Sequence, residues 1–116
     1  MASSEIKITQ ARSGEVCVIT LAGRIDSTNA DEVMTQLNTL VDAGERSILI
    51  DFAAVLYLTS AAFRALLVAT DSAERKRARL MLCGVVGHVR ELFEMGGLLD
   101  VFTIMGSREE ALARLA

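Results

Sequence analysis

The sequence predicts an α/β fold: one domain built on a mixed β-sheet of about five strands, with about four α-helices packed against it, in the order ββαβαβαβα. Three observations lead there. Short apolar runs rich in β-branched residues alternate with longer segments whose apolar positions recur every three to four residues, so the strand period and the helix period change places along the chain. Glycines and short hydroxyl or amide clusters fall at many of the changeovers. Across 116 residues there is no proline, no repeat, no low-complexity segment and no compositional break marking a second domain.

The elements follow in order. Residues 6–11 alternate apolar and polar, Ser13-Gly14 supplies a turn, and residues 16–21 are apolar at nearly every position. This is an edge strand paired antiparallel to a central one. Ser27-Thr28-Asn29 forms a helix N-cap cluster, after which Ala30, Val33, Met34, Leu37, Leu40 and Val41 recur at helical spacing until Gly44. Residues 47–52 make a buried strand, a short loop follows, and a second helix opens at Thr59-Ser60. That helix is expected to carry Phe63, Leu66, Leu67 and Thr70 on one face, with Ala61, Ala62, Ala65, Ala69 and Ala73 allowing close approach to the sheet. A fourth strand spans 80–83 and is closed by Gly84; a helix bearing Val89, Leu92 and Phe93 stops at Gly96-Gly97. A short last strand over 101–105 precedes a terminal helix with Ala111, Leu112 and Leu115, opened by a capping box from Ser107 to Glu110. Strands separated by helices pair in parallel through right-handed crossovers, so the initial hairpin makes the sheet mixed.

Composition removes several function classes. Hydrophobic residues at 52% with 23% charged describe a globular chain rather than a disordered one. A net charge of −3 is the wrong sign for tracking nucleic-acid phosphates, and the one basic cluster, over 74–79, suits a solvated helix end. With no Trp and one Tyr there is no base-stacking platform. The apolar runs fall short of the ~18–20 residues of a membrane span, so no membrane insertion is expected. MASSEIKITQ lacks a signal-peptide core, so the expected location is cytoplasmic. Cys17 and Cys83 lie in strand patterns without CxxC spacing and are read as buried thiols of a reducing compartment.

No catalytic constellation emerges, and the chain is not expected to be an enzyme. The single histidine, His88, opens a helix, where a surface role suits it better than a triad. Metal-ligand clusters and Gly-rich phosphate cradles are not seen, and no cofactor is expected. The carboxylate pairs Asp31-Glu32 and Glu109-Glu110 occupy first turns of helices, where the dipole accounts for them. What remains is the opening of the second helix. A hydroxyl there, on Thr59 or Ser60, suits a residue that caps the helix, and equally one that accepts a phosphate.

Two motifs resemble the STAS family, the anti-sigma factor antagonists. Residues 18–26, VITLAGRID, are similar to its strand-two signature, a Leu-x-Gly-Arg/Glu-aliphatic-Asp run leading into the first helix. Residues 48–52, ILIDF, and 55–64, VLYLTSAAFR, resemble its second signature, an apolar strand with Asp and then an aliphatic-Asp-Ser-Ser/Ala-Gly-Leu segment. Leu82-Cys83-Gly84, Val89 to Phe93, Gly97 to Ile104 and Ser107 to Ala111 continue in register, so the resemblance covers about the whole chain as a single STAS-like domain, 1–116. It implies a protein-binding module in which Ser60 is the phospho-acceptor, with Thr59 a second candidate. The partners it implies are a GHKL-type serine-kinase anti-sigma factor, whose sequestration frees a sigma factor, and a PP2C-type phosphatase that reverses the modification. The partner-binding surface is then Asp26, Ser27, Thr28, Thr59, Ser60 and Arg64. Arg64, one turn beyond Ser60, can steer a partner carboxylate, pair with the phosphate or simply be solvated. Two positions depart from the pattern: Thr59 replaces the usual Asp, and Ala62 the usual Gly. The alternative implied is an unphosphorylated STAS subunit of a lipid ABC transporter or of a sensory, stressosome-like assembly. An exposed edge strand allows a monomer or a weak homodimer.

Overall fold

The structure, a computed structural model, describes residues 6–116; the first half of MASSEIKITQ therefore lies outside the described residues. The elements are β1 (Ile6–Ser13), β2 (Val16–Ile25), α1 (Ala30–Asp42), β3 (Ser47–Leu58), α2 (Ser60–Arg75), β4 (Arg79–Cys83), α3 (Gly87–Met95) and α4 (Arg108–Leu115). The strands form one sheet in the order β1-β2-β3-β4, with β1 antiparallel to β2 and the other neighbours parallel. The mixed sheet is as expected.

Side chains alternate between the two faces of the sheet and make two cores. Cys17, Ile19 and Leu21 on β2, Ile48, Ile50 and Phe52 on β3, and Leu82 on β4 share the larger core with α1, α2 and α3. Val16, Val18, Leu49, Met81 and Cys83 face the other way, onto Ala111 and Leu115 of α4. Phe93 of α3 is fully buried and meets the rings of Phe52, Phe63 and Phe102, all close to edge-on.

Three expectations need correction. The last strand shrinks to one parallel bridge, Leu82 to Ile104, held by Leu82 N–H donating to Thr103 O and Met105 N–H donating to Leu82 O, each at 2.8 Å. A turn is the reason: Val101 N–H donates to Leu98 O at 3.1 Å, which leaves Val101 exposed and sends Phe102 into the core. Four strands result among the described residues, where five were expected.

Second, no loop follows Phe52, because β3 continues to Leu58. Its register against β2 slips twice: Thr20 and Ala22 face Asp51 and Ala54, while Gly23 and Arg24 face Val55 and Tyr57. Each slip inserts one extra residue in β3, a β-bulge. The buried positions Phe52, Val55 and Leu58 therefore fall three apart instead of two. That spacing conceals a strand.

Third, α2 buries Ala62, Ala65, Leu66, Ala69 and Ala73, and leaves Leu67 exposed. The buried face is turned about one position from the one anticipated from the large residues. The alanines face inward because α2 packs closely on both α1 and the sheet, which large side chains would prevent.

Candidate functional site

Ile25 and Leu58 are the last paired residues of β2 and β3, which brings the two segments that follow these strands together. Thr59 N–H donates to Ile25 O at 3.1 Å, fixing the start of α2 beside the loop over 26–28. Asp26, Ser27 and Thr28 thus lie next to Thr59 and Ser60, the grouping anticipated from sequence.

The loop is held by its own polar groups. Asp26 Oδ1 accepts from both Thr28 Oγ1 and Thr28 N–H, the latter at 2.9 Å. These two bonds, the hydroxyl foremost, pull the Asp26 carboxyl below the usual carboxylate range, and the Arg24 charge adds to the effect. Asn29 is 1% exposed, yet its side chain does not cap α1, although it stands at the N-cap position. Its amide instead donates to Arg24 O at 2.9 Å and accepts from Asp26 N–H at 3.0 Å, tying the loop back onto the end of β2. Ser27 and Thr28 remain exposed.

At α2 the two hydroxyls separate into different roles. Thr59 is the N-cap residue, extended at φ −104° and ψ 176°, and its carbonyl accepts from Ala62 and Phe63 N–H at 3.0 and 3.2 Å. Its side chain makes no capping bond; the hydroxyl turns instead toward Ile25 O, at 3.5 Å. Ser60 is the first residue of the helix and is exposed, where the unpaired N–H groups of the first turn create a positive potential. The first turn of α2 contains no acidic side chain. Arg64 is exposed one turn further on. Among the described residues the ion pairs of Arg and Lys are Arg12–Glu45, Arg75–Asp71, Lys76–Asp42 and Arg108–Asp51, and Arg64 takes part in none. It borders a groove of about 300 Å³ between α1 and α2, with Ser27, Asp31, Met34, Ala61 and Val68.

The sequence reading missed a neighbouring cluster. The Tyr57 ring stacks on His88 with centroids 6.0 Å apart, and the Arg24 guanidinium lies 5.6 Å from its centroid. Val86, two residues before His88, is an exposed apolar residue, at 61%. Only the bulged extension of β3 brings Tyr57 level with Arg24, so the missed strand hid the cluster as well. His88 is exposed at the start of α3, as expected. No group of three or more His, Cys, Asp or Glu suited to a metal ion occurs among the described residues, and none of their helices is long and apolar enough to cross a membrane.

The sequence model of the STAS domain matches residues 7–111. BtrV of Bordetella bronchiseptica, named as an anti-sigma factor antagonist, is 33% identical over 108 residues, covering 93% of each chain. The crystal structure of an anti-sigma factor antagonist from Mycobacterium paratuberculosis superposes with a TM-score of 0.86 at 18% identity, over 99% of this chain and 98% of that one. The Bacillus cell fate determinant SpoIIAA, solved in its phosphorylated form, gives a TM-score of 0.73 at 21% identity, over 95% and 100% of the two chains.

Proposed function

The chain belongs to the STAS domain family, and on that footing we propose that it is an anti-sigma factor antagonist, a non-enzymatic binding module switched by phosphorylation of Ser60. The observation that carries this reading is the setting of Ser60. It is exposed in the first turn of α2, beside the polar loop over 26–28, and it does not serve as the helix cap. A kinase can reach such a hydroxyl without unfolding anything. A phosphate there gains from the helix N-terminus, so the fold tolerates the modification. At a docking surface the same two negative charges repel a partner's acidic groups and are costly to desolvate, so the change falls on binding. That SpoIIAA exists in a phosphorylated form on this fold supports the reading.

The partner in this reading is a serine-kinase anti-sigma factor that docks on Asp26, Ser27, Thr28, Thr59, Ser60 and Arg64, with a PP2C-type phosphatase restoring the binding form. Thr59 stands where an acidic residue is usual, and its hydroxyl is partly turned inward, so Ser60 is the acceptor of choice. Incubation with the cognate kinase and ATP should add one phosphate to the wild type and none to Ser60→Ala, by intact mass. Ser60→Asp should weaken kinase binding while leaving the far-UV circular dichroism unchanged. Equal modification of Ser60→Ala would move the acceptor elsewhere. No modification of either chain would leave the constitutive assembly-subunit reading in its place.

A further inference from the structure

Among the side chains bordering the groove between α1 and α2, Arg64 is the basic one, and it stands one helical turn after Ser60 in α2. Residues four apart on a helix share a face, with Cβ atoms about 6 Å apart. Helical side chains also lean toward the N-terminus, so a long side chain at position 64 covers the turn that contains Ser60. An acidic group N-terminal to a basic one at this spacing is the favoured orientation of such a pair. Arg64 has no ion-pair partner among the described residues that would have to be given up. Its acidic neighbour across the groove, Asp31, belongs to α1, and the nearby Asp26 carboxylate is already engaged by Thr28.

We propose that Arg64 is the residue that reads the phosphorylation state of Ser60: free to meet a partner carboxylate when Ser60 is unmodified, and drawn back onto the phosphate within the same helix when it is modified. The inference rests on the Ser60 reading above and adds a mechanism to it. Phosphorylation then acts twice at the docking surface, by adding negative charge and by withdrawing the cation that an acidic partner group would use. Arginine suits both tasks because its planar fork can bond two oxygens of a carboxylate or of a phosphate.

The test separates this mechanism from the identity of the kinase. Phosphoserine is incorporated biosynthetically at position 60 of the full chain, and its second ionisation is followed by phosphorus NMR between pH 4 and 8. A neighbouring guanidinium favours the dianion, so wild type should titrate below Arg64→Gln by about 0.3 pH units, the scale of an exposed pair four residues apart. Arg64→Lys, which keeps the charge, should fall between them. Coincident titrations in wild type and Arg64→Gln would overturn the clasp, whether or not a kinase modifies Ser60 in the enzymatic assay. Failure of the kinase to modify Ser60 would instead remove the Ser60 reading without touching the measured pairing. As a second readout, Arg64→Gln without phosphate should bind the kinase several-fold more weakly than wild type; unchanged binding would remove the partner half of the proposal.

Discussion

Asp26 is anchored by two hydrogen bonds from a single neighbour, so its charge is held first by the loop, with Arg24 at the end of β2 adding to the effect. Thr28 lowers the carboxyl pKa through its hydroxyl first and its N–H second. A carboxylate whose folded pKa is depressed contributes stability that is present above its unfolded value, about 4, and is lost as pH falls through the folded value. Thr28→Val removes the hydroxyl and leaves the N–H, so Asp26 should titrate at higher pH in that variant. Carbon-detected NMR of the side-chain carboxyl measures this directly, and equal titration midpoints would show that the hydroxyl does not hold the charge. The stability difference between the two proteins should be largest near neutral pH and narrow below about pH 4. At this scale the sequence was a good guide to which residues gather, since Asp26, Ser27, Thr28, Thr59, Ser60 and Arg64 follow strands that pair. It misled on their bonds. Ser27-Thr28-Asn29 has the composition of an N-cap cluster, but Asn29 uses its amide on the backbone of Arg24 and Asp26, a choice set by the local path of the chain leaving β2, which composition does not encode.

Among the elements, α2 combines a start that carries the candidate site with an awkward finish. Its C-terminus closes with Arg77 N–H donating to Glu74 O at 3.0 Å and Ala78 N–H donating to Ala73 O at 2.8 Å, the paired bonds of a Schellman motif. The motif requires a left-handed residue, and Arg77 supplies it at φ 60°. Helix α1 ends in the same way with Gly44 in that place, at φ 95°, and α3 with Gly97, at φ 70°. A side chain in this region costs about 1 kcal/mol relative to glycine. Arg77→Gly should therefore raise stability by up to about 1 kcal/mol in urea denaturation, offset in part by the greater freedom of glycine in the unfolded chain. A loss of stability would mean that the Arg77 side chain makes a compensating contact. The glycine stops of α1 and α3 could be seen in the sequence, whereas this one could not, because no residue type announces it. The same limit explains β3: apolar residues three apart belong to neither simple period, and only the pairing partner β2 shows that they are bulged strand positions.

For the molecule as a whole, the division of the sheet into two cores puts its two cysteines in separate environments. Cys17 faces α1, α2 and α3, whereas Cys83 lies beneath α4 with Ala111 and Leu115. Both thiols are free and buried, and burial raises both pKa values. Cys83 is pushed up to about 11 by desolvation first and by the neighbouring Asp51 carboxylate second. At pH 8 about 0.1% of that thiol is ionised even where a reagent can reach it, so the folded protein should alkylate very slowly. Helix α4 is held to the sheet by its own small core and by Arg108 Nη1, which donates to Asp51 Oδ2 at 3.2 Å. Its first turn is fixed by Glu110 N–H donating to Ser107 Oγ at 3.0 Å. Ala111 is fully buried between helix and sheet, so Ala111→Asp would place an unpaired carboxylate there and favour an undocked helix. Alkylation of that variant at pH 8, resolved by peptide mass, should then accelerate at Cys83 and leave Cys17 protected, because the three-helix face is untouched. Equal acceleration at both thiols would mean that the two cores open as one cooperative unit. The proposed docking surface includes Ser60 and Arg64 of α2, which packs on the three-helix side, so selective opening at Cys83 should leave binding of the proposed kinase partner intact, while cooperative opening should abolish it.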